Sequence, residues 1–396
     1  MGRGNWRRGE ETARTWCGHM WSAELVDGVV VAADGLPEEV LACESALQSS
    51  DNVDEARKLV KKAVAPLGHV VAEPESTAHQ PSTLRFASMR EFVGSFKDRA
   101  AYTTVCTYSA GSAVACLDFH VARLQDSVRM LREDEIKCHP ENQRDSDIPF
   151  PTQESLKDTF RAAAKLARLM HAKELAHGRQ REAVIVVVIP VVGECFKHIF
   201  VRIQDCEPVI HPDAVAAGGS IDVELRLHPR RLAEAKDAKW VEERQYLERT
   251  RAAGAAETIL YNAQGEVLEG TVTNVFVRYR GGIWRTAQHG ILYGHVREKV
   301  LAVMCDSKLG LDVRLEPPSV NDVGEWECAF LTNATKICQA IARAHFPFDA
   351  DFHTAKAESE RDLVIVQLDA FHPEITRIRR AVIDAICQPS DLLLSE

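Results

Sequence analysis

The chain reads as an α+β protein of two domains, the first small and mixed, the second larger and β-rich. Three observations predict this. Between Met89 and Ile203 the hydrophobic periods come in the order strand, strand, helix, helix, strand, strand, and between Glu257 and Arg297 two β-hairpins run directly into a loop and a helix start. The length, 396 residues, accommodates two domains of about 100–200 residues with extensions.

Residues 1–85 form an N-terminal extension, partly helical, with a periodic stretch from Pro37 to Val64 and then the polar segment EPESTAHQPST, which reads as a linker. The small domain, 86–206, opens with a short helix from Met89 to Phe96. Strand AYTTVCTYSA follows, then a turn at Gly111-Ser112, strand AVACLDF and the helix HVARLQDSVRMLREDE, whose Val121, Leu124, Val128 and Leu131 make an apolar stripe. A second helix from Gln153 to Leu175 precedes strands AVIVVVIPV and CFKHIFVRI. Residues 207–221 carry EPVIHPDAVAAGGS, whose two prolines and two glycines mark an interdomain linker.

The large domain, 222–396, begins with strand DVELRLHP and the lysine-containing segment around Lys236. Its first hairpin joins Thr258–Tyr261 to Glu266–Leu268 through Asn262-Ala263-Gln264-Gly265. The second joins Thr273–Arg280 to Ile283–Thr286 through Gly281-Gly282, the kind of pair a two-residue hairpin loop prefers. Gly290-Ile291-Leu292-Tyr293-Gly294 then leads into the helix HVREKVLAVMC, whose first amides have no partner within the helix and suit a phosphate. Strands LDVRLEPP and ECAFLTN and the tail segments SERDLVIVQLDAF and EITRIRRAVIDAIC complete the chain.

Composition excludes several classes. Apolar residues at 45% and charged residues at 27% are ordinary for a globular protein, and a net charge of −10 argues against a nucleic-acid partner. No stretch approaches the roughly 20 apolar residues of a membrane span. Eleven cysteines without a CxxC pair fit reduced thiols better than a disulfide frame, which points to a cytoplasmic protein. The opening MGRGNWRRGEETARTW is weak as a targeting segment, and an organellar address stays open. Cys195, His198 and Cys206 lack a second ligand pair at zinc spacing, so no metal site is expected.

The run Glu269-Gly270-Thr271-Val272-Thr273-Asn274-Val275-Phe276, followed by Gly290-Ile291-Leu292-Tyr293-Gly294 and Arg297, resembles the class IV pyridoxal-phosphate (PLP) aminotransferases. That group includes branched-chain and D-amino-acid aminotransferases and aminodeoxychorismate lyase. The likeness covers roughly Arg99 to Ala342 and implies the two-domain fold type IV architecture, PLP as cofactor, amino-acid and 2-oxo-acid substrates, and a homodimer.

The resemblance also assigns roles. Its lysine lies a little over thirty residues before its glutamate; Lys236 precedes Glu269 by 33 positions and Lys239 by 30. Lys236 is preferred as the Schiff-base lysine, because it follows small residues and places Trp240 near the family's ring-packing position. Glu269 would hold the pyridine nitrogen protonated, and Asn274 would bond within the turn beside the cofactor. His120-Val121-Ala122-Arg123-Leu124 matches a His-x-x-Arg-Leu pattern whose arginine grips the phosphate, a task suited to a forked donor. The amides of His295 and Val296 and the hydroxyl of Thr335 would add to that seat.

Two departures concern the substrate. Where the family often carries an arginine in a Phe-Glu-Thr-x-Arg sequence, this chain has Tyr102-Thr103-Thr104-Val105-Cys106, and Val241 stands where a tyrosine often follows the lysine. The resemblance therefore leaves branched-chain and D-amino-acid substrates both open. It leaves open an aminodeoxychorismate-type lyase and a non-catalytic scaffold as well.

Overall fold

The computed structural model describes residues 29–33, 88–96, 99–109, 111–139, 151–170, 181–192, 199–206, 219–347 and 363–386. The expected helix over 37–64, the segment EPESTAHQPST, residues 207–218 of the expected interdomain linker, and Cys195 and His198 lie outside them; the linker's last residue, Ile221, already belongs to a strand. The chain divides into two compact units. One holds the residues up to 208 together with Ala235–Val241, and the other holds Val209–Glu234 and Glu242–Pro389. The Lys236 segment thus clusters with the first unit although it follows 222 in sequence.

In the first unit, β1 (Val29–Ala33), β2 (Ala100–Tyr108), β3 (Ala113–Val114), β4 (Glu182–Pro190) and β5 (Ile199–Cys206) form one sheet in the order β1-β5-β4-β2-β3. Its helices are α1 (Met89–Gly94), α2 (Leu117–Cys138) and α3 (Gln153–Met170). The expected strand over AVACLDF shrinks to Ala113–Val114. Cys116 adopts the left-handed conformation at φ 53°, and α2 starts at Leu117. β1, parallel to β5, comes from the extension and was not anticipated.

β4 alternates between two covered faces. Val186 and Val188 pack with Phe92, Val93, Tyr102, Phe200, Ala238 and Val241, while Ile185, Val187 and Ile189 are buried on the other side, where α3 lies against the strand. The run of valines and isoleucines is therefore used up within the unit, as in sheets covered on both sides. Val241 fills this core, which accounts for an apolar residue there.

The second unit contains β6 (Ile221–Leu227), α4 (Trp240–Glu243, which begins in the first unit's segment), α5 (Gln245–Arg249), β7 (Ala255–Tyr261), β8 (Val267–Gly270), β9 (Asn274–Tyr279) and β10 (Trp284–Arg285). It continues with α6 (His295–Cys305), β11 (Val313–Arg314), a 3-10 turn over Val320–Glu325, β12 (Trp326–Thr332), β13 (Gln339–Pro347), β14 (Leu363–Gln367) and α7 (Pro373–Ile386). The strand order is β11-β10-β9-β12-β13-β6-β7-β8, with β14 on β13, and β8 also pairs with β9. That last pairing closes β9, β12, β13, β6, β7 and β8 into a ring, which removes their free edges. Val223, Leu225, Ile259, Val267, Val275, Val277, Ala329, Leu331 and Ile341 form the core of this unit. Among the described residues, no helix is long and apolar enough to cross a membrane.

Candidate active site

In the first unit two basic groups are anchored to adjacent residues of β2. The segment after β6 runs along the edge of β2: Tyr102 N–H donates to Lys236 O at 3.0 Å, and Ala238 N–H donates to Ala100 O at 2.8 Å. The Lys236 N–H reaches Ser127 Oγ on α2 at 3.1 Å. Arg99 pairs with both Asp237 and Asp134, fastening the same segment to α2. The backbone of Lys236 is thereby fixed on both sides, and its Nζ stands 4.5 Å from the centroid of the Tyr102 ring, within cation–π range. Lys239 is exposed.

Arg123 rises from α2 toward Thr103, the next residue of β2, and its Nη2 donates to Thr103 Oγ1 at 2.9 Å. His120 Nδ1 lies 2.9 Å from that hydroxyl and 3.3 Å from Arg123 Nη2. Burial pulls the guanidinium down to about 10, with Tyr102 opposing the shift. It stays cationic at neutral pH in a setting that strengthens its hold on an anion. Cys106, on the same strand, is buried, and burial, with Cys206 and Glu182 adding to it, pushes its thiol well above the usual range. It offers a carboxylate no charge.

In the second unit Glu269 on β8 pairs across to Asn274 on β9, and Asn274 pairs across to Thr332 on β12. The three make a row over adjacent strands. Glu269 Oε2 accepts the Leu292 N–H at 2.8 Å and Asn274 Nδ2 donates to Leu292 O at 2.8 Å, so both ends of that peptide are held. The motif glycines follow from close approach. A Cβ on Gly270 would sit 2.1 Å from Thr273 Oγ1, and one on Gly294 would sit 2.4 Å from Asn274 Oδ1. Directly after Gly294, α6 begins with the buried residues His295 and Val296, and its first amides have no in-helix acceptor.

Thr335 is exposed, and its N–H and hydroxyl both turn to Asn333 Oδ1, at 3.0 and 3.1 Å. The resemblance places Thr332 to Thr335 at the family's second phosphate loop and gives the hydroxyl role to Thr335 rather than Thr332. The Thr332 hydroxyl is buried and has no hydrogen-bond partner among the described residues. The signal for Thr332 was its place at the end of a strand beside Asn274. A buried hydroxyl without a partner is open to an acceptor or donor that binds beside it. Arg230 is the residue that sequence reasoning missed: its Nη1 lies 2.8 Å from Glu269 Oε1. Among the described residues, no group of His, Cys, Asp and Glu could hold a metal ion.

The ring of β-strands with its row of Glu, Asn and Thr belongs to the second unit, and the fixed lysine belongs to the first. The family model for Amino-transferase class IV matches residues 100–344, more than half of the chain, and the chain belongs to that family. The family is PLP-dependent. Among solved structures, a hypothetical aminotransferase from Mycobacterium tuberculosis in its PLP-bound form is 15% identical, with a TM-score of 0.50 over 70% or more of each partner: 81% of this chain and 96% of that one. The branched-chain amino acid aminotransferase from Escherichia coli is 16% identical, with a TM-score of 0.50 over 74% of this chain and 87% of that one. A fold IV-transaminase from Curtobacterium pusillum is 20% identical, with a TM-score of 0.49 over 65% and 84%. The family match and the first two likenesses establish the α+β fold type IV architecture. No curated protein matches the chain.

Proposed function

We propose that this protein is a PLP-dependent aminotransferase that moves an amino group between an amino acid and a 2-oxo acid. The observation that carries the reading is the pair on β2. A lysine amine rests on Tyr102 and a buried guanidinium rests on Thr103, and these are the two groups that a phosphorylated aldehyde requires. The residues fit the cofactor. Arg123 would bind the phosphate, with the amides of His295 and Val296 and the orphaned hydroxyl of Thr332 as further donors.

When bound, PLP supplies an electron sink that makes the α-proton of an amino acid acidic. Lys236 would join the cofactor and afterwards hold and return that proton as general base and acid. Glu269, with both oxygens fixed, would keep the proton on the ring nitrogen. Tyr102 and Cys106 would border the substrate with no fixed cation, so neither a branched-chain nor a D-amino-acid preference follows from them.

The test is turnover of a panel of amino donors against 2-oxo acids, run beside aminodeoxychorismate. Transfer of the amino group to a 2-oxo acid supports the proposal. Release of product from aminodeoxychorismate without any such transfer would replace it with a lyase, which would use the same lysine and glutamate.

A further inference from the structure

Glu269 is claimed at both oxygens by different parts of the second unit. Oε1 accepts from Arg230 Nη1 at 2.8 Å and Oε2 accepts from the Leu292 N–H at 2.8 Å; the two side chains are 6% and 4% exposed. Arg230 belongs to the stretch between β6 and Lys236. The same stretch grips the Gly290–Gly294 loop a second time, because Glu234 Oε1 accepts the Gly290 N–H at 3.3 Å. Between them Leu232 sits at φ 56°, a left-handed conformation that costs a non-glycine residue and persists only where its surroundings impose it.

The chemistry of this arrangement is specific. A guanidinium does not shed its proton in a protein, so Arg230 sets a permanent counter-charge against the buried carboxylate. One donor on each oxygen fixes the plane of the carboxylate.

We propose that Arg230 is a positioning residue for Glu269, holding it ionised and oriented so that a protonated ring nitrogen meets a preset acceptor. The inference rests on the reading of Glu269 as the partner of the pyridine nitrogen. Without Arg230 the carboxylate would lose the guanidinium that faces Oε1, and with it a fixed direction and a counter-charge.

The experiment compares Arg230→Met and Arg230→Lys, each alone and combined with Glu269→Gln, in the full-length protein with and without PLP. Arg230→Met should raise the PLP dissociation constant roughly tenfold or more, the scale of one charge-assisted contact. Arg230→Lys should restore most of the loss, and Arg230→Met should add little once Glu269 is already glutamine. Without PLP, Arg230→Met should lower the thermal midpoint, and Glu269→Gln should recover part of it, because an uncompensated buried charge is then removed. The proposal is overturned if Arg230→Met matches wild type, or if it weakens binding as much in the Glu269→Gln background as in wild type. A wild-type protein that takes up no PLP would sink the cofactor reading instead, and the thermal cycle without PLP would still decide whether the two residues act as a pair.

Discussion

Lys236 owes its backbone position to bonds on both sides and to the Arg99–Asp237 pair, so its side chain extends from a fixed point toward the Tyr102 ring. Three predictions belong to this scale. Arg123→Ala should raise the PLP dissociation constant roughly tenfold to a hundredfold, while activity at saturating PLP largely recovers, because the residue meets the phosphate and not the reacting carbon. Unchanged affinity would move the phosphate elsewhere. Thr332→Val should weaken PLP binding by several-fold, about the worth of one neutral hydrogen bond, whereas Thr335→Ala should leave it near wild type. The reverse order would return the hydroxyl role to Thr335. Glu269→Gln should still bind PLP but lose turnover by orders of magnitude, at roughly tenfold per 1.36 kcal/mol of lost transition-state stabilisation; near-normal kcat would remove Glu269 from the chemistry. Glu269 and Asn274 stand out in the sequence because a short motif carries them, and Lys236 is singled out by its spacing from Glu269 and its small neighbours. Arg230 was not legible, since it meets Glu269 across 39 positions through a loop with no periodic signal.

At the scale of elements, the two hairpins could be read from sequence because glycine marks their turns: Gly265, Gly281 and Gly282 take φ values of +80°, +99° and +94°. β13 escaped detection. Its QAIARAHFP places charged and polar residues inside a strand, and the structure shows how its arginine is accommodated: Arg343 pairs with Asp222 on the adjoining β6. LDVRLEPP was read as a full strand and yields only Val313–Arg314, the short partner of β10. The loop that joins the hairpins to α6 depends on one close approach. Gly294→Ala would force Asn274 off Leu292 O, so it should cost about 1–3 kcal/mol and also weaken PLP binding. Thermal unfolding and PLP titration check both effects; a variant stable and tight as wild type would show that the Asn274 contact is dispensable.

For the whole molecule, the β8–β9 pairing covers those strand edges within the second unit, and among the described residues both faces of β4 are covered within the first. The apolar run from Ala183 to Ile203 therefore offers no argument for a partner. A homodimer remains a proposal drawn from the family resemblance, and light scattering should give twice 44.0 kDa; the monomer mass at working concentration would refute it. The central claim is that Lys236 is the amine that takes the cofactor. Its most direct test is to incubate the purified protein with PLP, reduce it with borohydride and locate the stable adduct by peptide mass spectrometry. The account predicts label on the peptide containing Lys236, retained in Lys239→Ala and absent in Lys236→Ala. Label that persists in Lys236→Ala at another lysine, or no label on the wild-type protein, would contradict it.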